Sequence, residues 1–250
     1  MQAMELRKLA ELEDRHWWYR ERRAIVAREL RRFPACGRVL DIGAAYGGNT
    51  LAMQTMGWIA TAVDYSAAAT KVCRGRGISV IRADARDLPV EPGFIDLVIA
   101  FEVLEYIEED HLVMQEIGRV LRPGGGAALI AVSHDMALWS AQDEAAGRVR
   151  RYSRESLMDV ADKAGLVIDW MWSWNVLLRP VVALRHRTSR RARMARASQT
   201  SRMGLTSREN EPSRLPRPVN ATLSAIIAAE RVLPVKSLPG TSLIMRAHRE

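Results

Sequence analysis

Four apolar runs in the first half of the chain each end in residues suited to holding a small charged ligand. In Val39-Leu40-Asp41-Ile42-Gly43-Ala44-Ala45-Tyr46-Gly47-Gly48-Asn49 an apolar strand meets an acid and then a glycine-rich turn that opens a helix. Gly43 and Gly47, with the small Ala45 between them, let a backbone approach a ligand and leave amides at the helix N-terminus pointing towards it. The acid selects the ligand: a carboxylate at Asp41 repels a pyrophosphate and suits an ammonium or a sulfonium. Residues 59–63 form a second run ending in Asp64 and Tyr65, where a carboxylate can accept both hydroxyls of a ribose. Residues 78–81 lead to Ala83-Asp84-Ala85, and residues 95–100 lead to Phe101.

Strands of this kind, separated by helix-length segments, predict an α/β fold. Its Rossmann-like sheet has seven mostly parallel strands and helices on both faces. Ligands of such folds sit in the crevice outside the carboxyl ends of the strands. Further strands are expected at residues 127–133, 166–172 and 242–247. Core boundaries of 37–172 and 241–250 follow, with residues 1–36 as a helical cover and 173–240 as an insertion.

The segments VLDIGAAYGGNT, AVDYS, IRADARDLP, FIDLVIAFEVLEYIEED and EIGRVLRPGGG stand in the order and spacing of the class I S-adenosylmethionine-dependent methyltransferases, which residues 38–133 resemble. The resemblance implies S-adenosylmethionine as cofactor and S-adenosylhomocysteine as product. It places Asp41, Gly43, Ala45 and Gly47 around the methionine moiety and Asp64 with Tyr65 at the ribose. Asp84 and Ala85 fall at the adenine, with Phe101 beside the adenosine. The chain departs from the family at Ala45, where a second glycine is usual.

The flanks resemble a bacterial subgroup near the ubiquinone-type methyltransferases. His16-Trp17-Trp18-Tyr19 with Arg22-Arg23 is similar to its HWWY-x-x-RR segment, where an N-terminal helix covers the cofactor and Arg23 would grip the cofactor carboxylate. Residues 138–153 are similar to its W-S-x-H-D-E-x-x-G-H-x-R-R-Y pattern, but Gln142 and Arg148 replace the two histidines. The general-base candidates are then His134, after the fifth strand, and Tyr106 and Asp143.

The net charge of +8 is concentrated in one place. Eight of the 37 basic residues lie between positions 179 and 202, without an acid among them, and the rest balance the 29 acidic ones. A polar basic run of this composition reads as flexible, and the insertion as a mobile substrate cover. It also holds an apolar piece, residues 174–184, broken by Pro180. A helix with Asn220 as N-cap follows, with Leu223, Ile226 and Ile227 on one face. Cys36 and Cys73 are too few and badly spaced for a disulfide framework or a metal site. The charged start lacks a signal-peptide core and no run is long and apolar enough to span a membrane, so a cytoplasmic enzyme is expected.

The expected activity is methyl transfer to the O, N or C of a small-molecule acceptor in a biosynthetic or secondary-metabolite pathway. No metal and no nucleic-acid partner is expected, and a homodimer is among the expected assemblies. An RNA methyltransferase would use the arginine run, but Phe101-Glu102-Val103 lacks the Asn/Asp-Pro-Pro-aromatic tip of amino-group methyltransferases. A dehydrogenase would need G-x-G-x-x-G. A non-catalytic S-adenosylmethionine-binding partner subunit would not need acids at all three strand tips.

Overall fold

The computed structural model describes residues 13, 15–184 and 216–250. Strands β1 Arg38–Ile42, β2 Ile59–Asp64, β3 Val80–Arg82, β4 Leu97–Phe101, β5 Ala127–Ser133, β6 Leu166–Trp174 and β7 Ser242–Arg249 form one sheet. Their order is β3-β2-β1-β4-β5-β7-β6. The pairs from β3 through β5 are parallel, and β7 runs antiparallel to β5 and β6. Strand order reverses between β1 and β4, which creates the topological switch point where such sheets bind ligands.

β4 and β5 are buried along their whole length, as parallel strands covered on both faces must be. On one face Val98, Ala100 and Ile130 pack against Val113, Met114 and Ile117 of a helix at Asp110–Val120, and against Leu157 and Ala161 of a helix at Arg154–Lys163. On the other, Leu97, Ile99, Phe101 and Leu129 pack against Ile25, Val26 and Leu30 of the first described helix, α1 (Trp17–Leu30), and Met53 of the second, α2 (Gly48–Thr55).

The described part of the N-terminal segment is therefore a core helix on a sheet face rather than a separate cover. Trp17 is buried with Leu178 and Ile227, and the Trp18 ring lies 4.6 Å from that of Trp174.

The insertion is tied to α1. Residues 179–184 are helical, and Pro180 sits in the first turn, where its missing N–H costs no hydrogen bond, so it does not break the segment. Arg179 does not belong to a free basic run: it pairs with Asp135 at 2.5 Å and donates to the Gly240 carbonyl at 3.1 Å. The other seven arginines of that run lie outside the described residues. The later helix spans Arg217–Glu230 and has Pro216, not Asn220, at its N-cap. Asn220 instead accepts from the Trp17 N–H at 2.9 Å and donates to the Arg15 carbonyl at 3.2 Å. Ile227 is buried in the contact with α1, and Leu223 and Ile226 pack beside it, as the apolar face predicted. Among the described residues no helix is long and apolar enough to cross a membrane, and none form a metal-ligating cluster.

Candidate active site at the strand ends

A cleft of about 610 Å³ opens at the switch point, lined, among the described residues, by residues between 42 and 109. Its walls include Gly43, Asp64, Tyr65, Asp84, Ala85 and Tyr106 of the expected site, together with Glu102 and Val103. Gly43 is left-handed at φ 67° and donates to the Val63 carbonyl at 2.8 Å. A Cβ there would lie 2.4 Å from Val103, so glycine is required by the turn and by the wall of the cleft.

The Asp64 carboxylate is organised by backbone. One oxygen accepts from the Ala45 N–H at 2.9 Å and the other from the Ser66 N–H at 2.8 Å. Asp84 is held by Arg86 at 2.7 Å, and Arg86 also reaches Glu109 at 2.7 Å. The Arg86 hydrogen bond keeps the Asp84 carboxyl below its ordinary range.

Other expected site residues lie outside the cleft wall. Asp41 is buried, accepts the Thr50 hydroxyl at 2.6 Å and is pushed up to about 6 by burial. Ala45 is left-handed at φ 48°. Gly47 caps α2 at φ 77°, and the space a side chain would need is filled by Ile78 and Cys73, so its role is packing.

The amide of Gly48, at the α2 N-terminus, already has a carboxylate: Glu13 accepts from it at 3.2 Å and pairs with Arg76 at 3.2 Å. A negative group there is favoured by the helix dipole. Arg23 donates to the Glu13 carbonyl at 3.2 Å, so it grips the entering chain. Phe101 is buried on the α1 side of the sheet with the Arg22 guanidinium 5.1 Å over its ring.

The three candidate bases separate clearly. Asp143 is fully buried, caps its helix through Ser140 and pairs with Arg148 at 2.9 Å and Arg151 at 2.8 Å, which is a structural role. Burial opposes its charge, but the two arginines and Ser140 hold its carboxyl below the ordinary range. His134 is bound by ring Nδ1 to the Tyr152 carbonyl at 2.8 Å and is not in the cleft wall. Tyr106 is in the wall, with the Arg148 guanidinium 5.4 Å from its ring, and burial raises its phenol.

Sequence reasoning passed over Glu102 and Glu105. β4 pairs to its last residue, then Glu102 turns left-handed at φ 59° and a 3₁₀ turn, Leu104–Tyr106, follows. The two glutamates meet around Ser133, whose hydroxyl lies 3.1 Å from Glu102 and 2.8 Å from Glu105. Arg148 pairs with Glu102 at 3.1 Å and approaches Glu105 at 3.9 Å. Burial first, and the Glu102 charge second, push Glu105 up to about 8. The available signal was the Glu-x-x-Glu spacing at the tip of a strand.

Residues 40–129 match the family model described as a methyltransferase domain. A probable phthiotriol/phenolphthiotriol dimycocerosates methyltransferase of Mycobacterium ulcerans is 33% identical over 126 residues, covering 47% of this chain and 49% of that protein. A ubiquinone biosynthesis O-methyltransferase of Bordetella bronchiseptica is 32% identical over 95 residues, covering 35% of this chain and 39% of that one. The chain spans about half the length of the mycobacterial relatives it matches. An S-adenosylmethionine-dependent methyltransferase structure from Mesorhizobium loti shares the fold, with a TM-score of 0.59 at 15% identity, covering 95% of this chain and 100% of that one. The residues that line the cleft at the switch point all lie within the stretch that matches a methyltransferase domain.

Proposed function

We propose that this chain methylates a small-molecule acceptor at O, N or C in a biosynthetic or secondary-metabolite pathway. The observation that carries this reading is one cleft of about 610 Å³ with Asp64 and Asp84 in its wall, inside the matched domain. That volume is in the range of small-molecule sites. Asp64 spends one acceptor position of each oxygen on the Ala45 and Ser66 amides, and a carboxylate retains further lone pairs for the two hydroxyls of a ribose. In this reading Asp84 and Ala85, both in the cleft wall, would meet the adenine, and Gly43 the methionine end.

Bound there, S-adenosylmethionine supplies a methyl group already activated on a sulfonium. The part left to the chain is alignment and exclusion of water, and alignment alone is worth roughly 7–11 kcal/mol. The fixed turn at Gly43 and the buried strand β4 provide a rigid floor for it.

Both curated relatives are named for small molecules, phthiotriol dimycocerosates in one and ubiquinone biosynthesis in the other, which supports this acceptor class. Titration calorimetry with S-adenosylhomocysteine and NADH tests the cofactor, and mass spectrometry of co-purified ligand with a methyl-labelled acceptor screen tests the rest. S-adenosylhomocysteine bound more tightly than NADH is expected. The reverse order would overturn the reading, and methyl label incorporated into RNA rather than a small molecule would replace its acceptor.

A further inference from the structure

We infer that Glu102 takes the proton lost by the methyl acceptor, with Glu105, Ser133 and Arg148 as its positioning residues, so that the acceptor is a hydroxyl or protonated amine rather than a bare carbon nucleophile. The inference rests on the methyltransferase reading of the same cleft.

Glu102 belongs to the cleft wall. One of its oxygens is held by Ser133 and Arg148, both at 3.1 Å. The other, Oε1, is buried without a partner. A buried acceptor left unmade costs roughly 1–3 kcal/mol, a cost that a donor reaching Glu102 from the cleft would relieve. Glu102 is also held left-handed at φ 59°, a backbone state that a non-glycine residue keeps only when its surroundings impose it. Here the backbone bond from the Glu102 N–H to the Ala131 carbonyl, at 2.8 Å, fixes it to β5.

The surroundings manage a proton. Glu105 is wholly buried, and its Oε1 accepts from the Ser133 N–H at 3.1 Å and lies 2.8 Å from the Ser133 hydroxyl. A hydroxyl has one hydrogen to give, so it cannot donate to both glutamates at once, and one carboxyl must bring its own proton. Burial and the Glu102 charge assign that proton to Glu105 at neutral pH. Arg148 faces the pair from the loop after β5, itself anchored by Asp143, while Arg151 also binds Asp143, and Tyr106 flanks the group in the cleft wall. Two carboxyls this close titrate as a pair, the first proton binding more readily than the second.

The step balances without another reactant. The acceptor's O–H or N–H bond breaks and its proton passes to the Glu102 carboxylate. The electron pair left on oxygen or nitrogen forms the new bond to the methyl carbon, and the methyl–sulfur pair stays with sulfur, which becomes a neutral thioether. Glu102 then loses the proton to solvent through the open cleft.

The test uses the full chain and the variants Glu102→Gln and Glu105→Gln. Carbon-13 NMR of the glutamate carboxyls should give one signal titrating near pH 8, absent in Glu105→Gln and shifted to lower pH in Glu102→Gln. S-adenosylhomocysteine should bind both variants within threefold of the parent; failure of the parent itself to bind it removes the methyltransferase reading rather than this role. With the acceptor returned by the screen, Glu102→Gln should lower kcat by about 10²–10⁴-fold with KM within threefold. All glutamates titrating in the ordinary range overturns the inference. So does an unchanged kcat, a loss confined to KM, or an acceptor methylated at carbon.

Discussion

The Ala45 amide donates to the Asp64 carboxylate at 2.9 Å, which locks the turn after the first strand onto the tip of the second. The acid expected to receive a ribose is thus also a clamp on the loop beside the methionine end of the site. Asp64→Ala should weaken S-adenosylhomocysteine binding by roughly 1.5–3 kcal/mol, the loss of charge-assisted hydrogen bonds. Because two backbone amides lose their acceptor, thermal unfolding without ligand should also show a loss of about 1 kcal/mol. An affinity loss with no loss of stability would mean that the clamp contributes nothing.

Ala45 keeps a left-handed backbone, φ 48°, that costs an L-residue roughly 1–2 kcal/mol, partly offset because glycine gives the unfolded chain more freedom, worth about 0.4–1 kcal/mol. Ala45→Gly should therefore leave the chain between equally stable and about 1.6 kcal/mol more stable. Chemical denaturation measures this, and a loss above 1 kcal/mol would show that the alanine methyl packs usefully.

Asp41 gives a pH dependence with a definite sign. Burial raises its carboxyl from 3.8 to about 6 in the folded chain. Between those values the folded state holds a proton that the unfolded state has lost, so the contribution is full below pH 3.8 and is lost as pH rises through about 6. Two such units amount to about 3 kcal/mol. Asp41→Asn, which retains an acceptor for Thr50, should remove the decline over that window. An identical slope in parent and variant would assign it to another group.

β1, β4 and β5 were legible because their apolar runs are buried on both faces; β5 falls on the predicted residues 127–133. The strand-end acids Asp64 and Asp84 were legible by position, since Asp64 closes β2 and Asp84 follows β3 at the carboxyl edge of the parallel sheet, where the cleft opens. Phe101 does not reach the cleft wall, because side chains alternate along β4 and Phe101 shares the face of Leu97 and Ile99, which meets α1. Asn220 resembled an N-cap, but Pro218 fits the first helical turn and starts the helix earlier. Glu102 and Glu105 escaped because their meeting depends on Ser133 and Arg148, which reach them only through the parallel pairing of β4 with β5 and the return of the following loop.

Asp143 holds two arginines that are themselves mostly buried, with side chains 20% and 9% exposed. Asp143→Ala leaves both without their shared counter-ion, a change that costs about 3–5 kcal/mol in buried pairs. A general base would instead lose turnover at little cost in stability. Denaturation of the variant should show the large loss, and a stable protein lacking only turnover would restore Asp143 as a catalytic candidate.

The insertion and the cleft should separate experimentally. Among the described residues the cleft is lined by residues between 42 and 109, while the described ends of the insertion bind α1 and the β5–β7 region through Asn220 with Trp17, Arg231 with Glu21, and Arg179 with Asp135. Removing residues 187–215 and joining the ends with a short flexible linker keeps all three anchors. S-adenosylhomocysteine affinity should then stay within about 0.5 kcal/mol, the spread of neutral surface changes. The same variant tests the arginines deleted with the segment. If they bound RNA, the parent would retain it with an affinity falling steeply as salt rises and the shortened chain would not, because each phosphate contact releases counter-ions. Salt-insensitive retention, or none, leaves the small-molecule acceptor, whereas a shortened chain that loses S-adenosylhomocysteine would make the insertion part of the cofactor site.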